Sequence, residues 1–247
     1  MTFDFSGKAA LVTGAASGIG EAVARQLAAG GARVLVADAN GDGARAVADS
    51  IGANARAFTV DIADPAAVAA MVDDAVDAFG ALHLAVNNAG IGGASHPTAE
   101  YPPEEWQRVI DVNLGGVFHS MRLEIPAILA AGGGAIVNMS SILGSNGWAG
   151  SIAYVAAKHA LLGMTKTAAL EYAAKGLRIN AVGPGFIDTP LLSHMDAEAH
   201  RGLVALHPAG RLGTSEEVAA LTCFLLSEQA AFVNGSYHLI DGGYSAR

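Results

Sequence analysis

The feature that most restricts the fold of this chain is the segment KAALVTGAASGIGEAVARQLAAGGARVLVADAN, residues 8–40. A Val- and Leu-rich run of strand character passes through Gly14, Gly18 and Gly20 into a helical stretch, which Gly30 and Gly31 end before a second Val-rich run. Glycine permits a tight turn and close approach to the main chain, while a helix N-terminus offers unpaired N–H groups and the positive end of its dipole. Such a turn suits the pyrophosphate of a dinucleotide. The spacing G-x-x-x-G-x-G departs from the commoner G-x-G-x-x-G, and a glycine trio alone also serves a plain turn. The second observation is Asp38, eighteen residues after Gly20 at the end of the second run, where a carboxylate accepts hydrogen bonds from ribose hydroxyls. Its charge opposes a 2′-phosphate, and Ala15, Ala16, Ala39 and Asn40 supply no cation, so NAD(H) is expected in preference to NADP(H). Asp61, after a third strand-like run, reads either as a partner for the adenine amino group or as a polar residue starting a helix.

Further short runs rich in Val, Ile and Leu alternate with helical stretches. The strands expected are KAALVTG, ARVLVAD, ARAFTVD, LHLAVNN, GAIVNMS, LRINAVG and SYHLID. This alternation predicts an α/β fold, a doubly wound Rossmann-type sheet of about seven parallel strands with helices on both faces. A length of 247 residues suits one domain spanning 1–247, with no linker-like interruption. Asp64 before Pro65 predicts a helix start, and Thr214 with Glu217 has capping-box spacing.

Composition narrows the partners. A net charge of −9 with no basic run repels phosphate backbones and acidic carrier proteins, so no nucleic-acid partner is expected. Hydrophobic content of 52% against 15% charged residues leaves apolar surface for self-association. The opening MTFDFSGKAA has no basic region followed by an apolar core, and no uninterrupted run of about 18 apolar residues occurs. A cytoplasmic protein with no membrane segment is expected. The single Cys223 excludes an intrachain disulfide and reads as buried and inert. His194, Asp196, Glu198 and His200 gather in one stretch, but a solvated helix explains them better than a metal site, so no metal is expected.

From Ile125 through Ala157, 33 consecutive residues carry no charge, and the next residue is Lys158. The stretch reads as a buried strand, a loop and a helix start, with Lys158 a desolvated ion in need of partners. Tyr154 stands four residues earlier, on the same helical face.

TGAASGIG at 13–20, NNAG at 87–90, Asn113 within VIDVNLGGVF, SS at 140–141, YVAAK at 154–158 and PGFIDTP at 184–190 occur in an order and spacing that is highly specific. The chain resembles the short-chain dehydrogenase/reductase family, in its branch of about 250 residues, along its whole length. The resemblance implies catalysis by Asn113, Ser141, Tyr154 and Lys158, with Ser140 as a structural neighbour. Tyr154 would exchange the proton and Ser141 would give a second hydrogen bond to the reacting oxygen. In alcohol oxidation Tyr154 must begin as phenolate, so its pKa of about 10 must fall by roughly 3 units, or about 4 kcal/mol. Lys158 and the positive nicotinamide are expected to lower it, and Lys158 also to bond the nicotinamide ribose. For Asn113 the family role is to hold a water in a proton relay; the bland reading is a helix residue satisfying backbone groups.

By the same resemblance the cofactor is held by Gly14, Ser17, Gly18, Ile19 and Gly20 at the phosphates, and by Asp38, Asp61 and Ile62 around the adenosine. Asn87, Ala89 and Gly90 support the adenine ribose side, Asn87 by stabilising the sheet centre. Pro184, Gly185, Ile187 and Thr189 join Tyr154 and Lys158 at the nicotinamide end.

The substrate pocket is expected from Ser141 with His96, Leu143, Trp148, Phe186, Leu191, Leu192 and Met195, under a lid at about residues 190–210. No Lys or Arg lies between Gly185 and His200, so a hydrophobic or bulky secondary alcohol and its ketone fit better than a phosphate, CoA or carboxylate. One alternative is a 3-oxoacyl-[acyl-carrier-protein] reductase-like enzyme, opposed by Asp38 and the negative charge. Another is a noncatalytic dinucleotide-sensing scaffold, for which loss of the Tyr or Lys would be expected. The family likeness implies a homotetramer, with helices near 104–131 and 151–174 at one interface.

Overall fold

Each of the seven Val- and Leu-rich runs forms a strand in the computed structural model, which describes residues 3–189 and 196–246. They are β1 (Ala9–Thr13), β2 (Arg33–Asp38), β3 (Ala55–Thr59), β4 (Leu84–Asn87), β5 (Gly134–Met139), β6 (Leu177–Pro184) and β7 (Tyr237–Ile240). All pair in parallel, in the order β3-β2-β1-β4-β5-β6-β7. The chain winds outward from β1 to β3, then returns to place β4 on the other side of β1. Where the direction of winding reverses, the strand ends and their loops part to leave a crevice at the carboxyl edge.

The helices are α1 (Gly18–Ala29), α2 (Gly41–Ile51), α3 (Pro65–Phe79), α4 (Pro103–Ile110), α5 (Gly116–Ala130), α6 (Ile152–Tyr172), α7 (Ala197–Ala205) and α8 (Ser215–Leu226). Successive strand residues point to opposite faces, so Leu11 and Val12, both fully buried, enter different cores. On one face Val12, Val36 and Val137 meet Val23 and Leu27 of α1, Val47 of α2 and Leu225 of α8. On the other, Leu11, Leu35 and Ile136 meet Met71 of α3, Ile128 of α5 and Leu161 of α6. A fully buried Leu or Ile contributes about 1.5–3 kcal/mol before entropy is charged against it. This two-sided burial explains strands that read as continuous apolar runs.

Helix starts follow the side chains expected. Asp64 Oδ1 accepts the Ala66 N–H at 2.8 Å, with Pro65 opening α3. Thr214 and Glu217 form both bonds of a capping box, and such a cap is worth about 1 kcal/mol. Asp196 caps α7 by accepting from Glu198 and Ala199; His194 lies outside the described residues. The uncharged stretch begins in the last turns of α5, then supplies β5, a 3₁₀ turn at Ile142–Gly144 and the first turn of α6. Among the described residues, no helix is long and apolar enough to cross a membrane.

Candidate active site

The crevice is a cavity of 640 Å³ bordered by the ends of β1, β2, β4, β5 and β6 and by the first turns of α1 and α6. At one end, Gly14 and Gly18 have φ of 64° and 57°, a region in which side chains are strained. Gly20 packs so closely that a Cβ there would lie 2.1 Å from the Gly14 carbonyl oxygen. It therefore closes the turn from behind, while Gly14, Ser17, Gly18 and Ile19 line the crevice.

A side chain from just past the neighbouring strand locks this turn. Asn88 Nδ2 donates to the carbonyls of Thr13 and Gly14 at 3.1 and 3.0 Å, and the Thr13 hydroxyl accepts from the N–H groups of Asn88 and Ala89 at 3.1 and 3.2 Å. Asp38 is fixed as well, Oδ2 accepting from Ala16 N at 2.9 Å and Oδ1 from Asn40 N at 2.8 Å. Its carboxylate borders the crevice beside Ala39, and Asp61 and Ile62 follow along the same wall.

Tyr154 and Lys158 occupy successive turns of α6. Lys158 is buried, donates from Nζ to the Met139 carbonyl at 2.8 Å, and lies 5.5 Å from the centre of the Tyr154 ring. Burial pushes its pKa down to about 8. Ser141, two residues past β5, accepts from Leu143 N at 3.1 Å and lines the crevice with Tyr154, near enough to lower its pKa. Ser140 Oγ instead donates to the Lys158 carbonyl at 2.9 Å, joining β5 to α6. The protein around the Tyr154 hydroxyl raises its pKa, and the Ser141 side chain opposes this. The low-dielectric surroundings penalise the phenolate, so the lowering expected for alcohol oxidation falls to Lys158 and the positive nicotinamide.

Asn113 sits in a π-helical turn, Asp111–Gly115, between α4 and α5. Its buried amide accepts from Ile91 N and donates to Ile91 O, both at 2.8 Å. Thus the side chain clamps the Gly90–Ile91 wall next to Lys158, which is the backbone-satisfying role. Asn87 likewise stands one layer behind the crevice, in the sheet.

Trp148, Leu143 and Phe186 form an apolar wall with Ser141, and Pro184, Gly185, Ile187 and Thr189 continue it. Trp148 and Phe186 pack edge to face with ring centres 5.4 Å apart. His96 is not part of the wall: its exposed loop bonds Gly150 O through the main chain, and its ring meets Tyr101 at 6.4 Å. Leu191, Leu192 and Met195 lie outside the described residues.

A glycine turn, a ribose-side carboxylate and a Ser–Tyr–Lys cluster in one crevice form a recognisable set, and a family model described as Enoyl-(Acyl carrier protein) reductase matches residues 14–245. The chain belongs to the short-chain dehydrogenase/reductase family. This short-chain dehydrogenase/reductase is 53% identical to a cyclohexanol dehydrogenase of Acinetobacter sp. (strain SE19), covering 100% of the chain and 98% of the relative. It is 46% identical to a cis-4-hydroxycyclohexanecarboxylate dehydrogenase of Sinomonas cyclohexanicum, covering 98% of each. Among solved structures, a 3-ketoacyl-(acyl-carrier-protein) reductase from Brucella melitensis complexed with NADH superposes with a TM-score of 0.94 at 35% identity, over 98% of this chain and 100% of that one.

Three residues of this short-chain dehydrogenase/reductase escaped sequence reasoning. Asn88 was visible as the second Asn of NNAG but had no partner to point to. Tyr237 of β7 donates its hydroxyl to the Ser141 carbonyl at 2.5 Å, and nothing local in SYHLID marks it. His207, just after α7, receives the Phe186 N–H on Nε2 and is equally silent in sequence.

Proposed function

We propose that the chain is an NAD(H)-dependent dehydrogenase that interconverts an apolar secondary alcohol, above all a ring alcohol, and its ketone. The observation that carries this reading is that Ser141 and Tyr154 line one crevice with the Trp148–Phe186 aromatic wall. Two hydrogen-bonding groups serve one substrate oxygen, and Trp148 and Phe186 offer the rest of the substrate no charge. The names of the two curated relatives, both dehydrogenases of six-membered-ring alcohols, support a cyclic substrate.

The cofactor is a nicotinamide dinucleotide, and the site fits one: a glycine turn held open at a helix N-terminus, Asp38 at the next strand end, and a long crevice reaching Tyr154. NAD(H) is favoured over NADP(H) because Asp38 repels a 2′-phosphate and, among the described lining residues, no Lys or Arg stands beside it. When bound, the nicotinamide supplies or accepts the hydride. In reduction, Tyr154 gives its hydroxyl proton to the carbonyl oxygen while Ser141 holds that oxygen in line. The Lys158 ammonium then stabilises the phenolate left behind. In oxidation the Tyr154 phenolate takes the proton of the substrate hydroxyl, so the same atoms serve both directions. A substrate lid at residues 190–210 belongs to this reading; residues 190–195 lie outside the described residues, and the rest carries α7.

Self-association as a cytoplasmic homotetramer belongs to this reading. Phe118 of α5 and Leu170 of α6 are 52% and 86% exposed, which is costly for apolar side chains left in water.

A panel of cyclic, aryl and linear secondary alcohols and ketones, followed by NADH absorbance, tests the proposal. Turnover of ring alcohols with NAD⁺ is expected. Turnover confined to NADPH and carrier-linked 3-oxoacyl substrates would replace this reading with the carrier-protein reductase. Nucleotide binding without any turnover would replace it with the scaffold.

A further inference from the structure

Beneath the crevice, β4, β5, α5 and α6 enclose four polar side chains within the apolar core. Asn87, Glu124, Asn138 and Thr165 are exposed by 2%, 0%, 0% and 1%. Asn87 Nδ2 donates to Glu124 Oε2 and to Asn138 Oδ1, both at 3.0 Å. Asn138 Nδ2 continues to Thr165 Oγ1 at 3.0 Å and Met121 Sδ at 3.4 Å.

Among the described residues, two buried oxygens of this cluster have no hydrogen-bond partner: Asn87 Oδ1 and Glu124 Oε1. They belong to the two side chains already joined through the other half of each group. An ionised carboxylate leaves both oxygens without a donor, since each of them only accepts. One proton on Glu124 Oε1 supplies what is missing and closes a cyclic acid–amide pair, O–H to Asn87 Oδ1 and N–H to Glu124 Oε2. We infer that Glu124 is a proton-bearing acid closed on Asn87 in this way, and that it acts through Asn87 as a positioning residue for the dinucleotide cradle. This last step rests on the proposed reading of the crevice. Asn87 is the final residue of β4, and the next two residues, Asn88 and Ala89, hold Thr13 and Gly14.

The surroundings favour the neutral acid. Burial raises the Glu124 carboxyl to about 7, with the Asn87 bond opposing the rise. From α3, the buried face is Val68, Met71, Val72 and Ala75, while Asp73 and Asp77 are exposed and Asp74 pairs with Arg56. On α5 itself Arg122 is exposed and His119 packs against Phe118; in the π-helical turn before it Asp111 is exposed. Lys158 of α6 is bonded to Met139 O, and Arg178 of β6 to the carbonyls of Leu225, Leu226 and Ser227.

Glu124→Gln tests the inference, because a glutamine of the same shape forms an amide–amide pair with Asn87 and does not titrate. The folded value lies above that of an unfolded carboxyl, so between the two only the folded state holds the proton. Stability from this group therefore falls as pH rises from about 4.5 through about 7, and is level beyond. Melting temperatures from about pH 5 to about pH 9 should show the wild type losing ground against Glu124→Gln over that interval. A difference independent of pH would overturn the pair, as would a bridging water beside an ionised Glu124. Infrared titration of the wild type alone gives a second reading: a protonated-carboxyl band should persist at about pH 6 and fade by about pH 8.5, and its absence at the lower pH would overturn the assignment. For the positioning role, the NADH dissociation constant should weaken several-fold over this rise in the wild type and stay level in Glu124→Gln. Identical profiles would overturn that role and leave the pair standing. No NADH binding by either protein, with the melting difference intact, would count against the crevice reading instead.

Discussion

The His207 ring joins the end of α7 to the main chain of Phe186. Nε2 accepts the Phe186 N–H at 3.2 Å, and Nδ1 lies 2.8 Å from the Leu203 carbonyl, which assigns the proton to Nδ1. The ring also packs against Phe186 and Tyr244 with centres 5.8 and 5.6 Å apart. His207→Leu keeps most of the volume and leaves the Phe186 N–H unpaired, while the Leu203 carbonyl keeps the Leu206 N–H, a loss of about 1–3 kcal/mol. The expected outcome is a lower melting temperature and a raised KM for the alcohol, because the Phe186 wall loosens. Steady-state kinetics with thermal melts check this, and His207→Gln should recover part of the loss.

Tyr154→Phe removes the hydroxyl proposed to exchange the proton, while the apolar ring remains. Turnover should fall by about 10²–10⁴-fold or more. Coenzyme binding, measured by NADH fluorescence, should persist. Substantial residual activity would remove Tyr154 from the acid/base role.

The two reaction directions should respond oppositely to pH. Burial raises the Tyr154 pKa, so the phenolate needed for oxidation gains population as pH rises and the phenol needed for reduction loses it. Lys158 titrates at about 8, so its cation, which favours the phenolate, is lost above that value. Oxidation, read as kcat/KM against pH, should therefore climb and then bend near pH 8, whereas reduction should be favoured on the acid side. A flat oxidation profile would contradict these assignments.

Asp38→Ser removes the charge that opposes a 2′-phosphate. The preference for NAD⁺ over NADP⁺, measured as a ratio of kcat/KM values, should fall about tenfold or more, equivalent to ~1.4 kcal/mol. Because Asp38 also holds the N–H groups of Ala16 and Asn40, the variant should lose about 1 kcal/mol of stability. Stability loss with an unchanged coenzyme ratio would confine Asp38 to holding the turn.

Much of the fold was legible because its causes are local. Gly14 and Gly18 declare a turn, Val-rich runs declare strands buried on both faces, and Asp64–Pro65 and Thr214 with Glu217 declare helix starts. The pairing of Tyr154 with Lys158 follows from helical spacing. What remained hidden depends on contacts across long stretches of chain. Tyr237 meets Ser141 across the sheet, Asn88 meets Gly14 from just past the neighbouring strand, and Glu124 meets Asn87 through the core. His96 illustrates the converse, since proximity in sequence to the cofactor loop did not bring it into the wall. The burial that raises the Tyr154 pKa leaves no mark in the spacing of Tyr154 and Lys158.

The 33 residues without a charge run from just after Glu124 to just before Lys158, and both of those bounding groups are buried. Ser141 and Tyr154 lie within that stretch. Mobile ions in solution screen exposed charges over about 8–10 Å, but act far less on groups enclosed by protein. Proton exchange at Tyr154 should therefore respond less to ionic strength than contacts at the surface do, even though the molecule as a whole carries a net charge of −9. Salt should alter how the protein meets its surroundings more than it alters the chemical step.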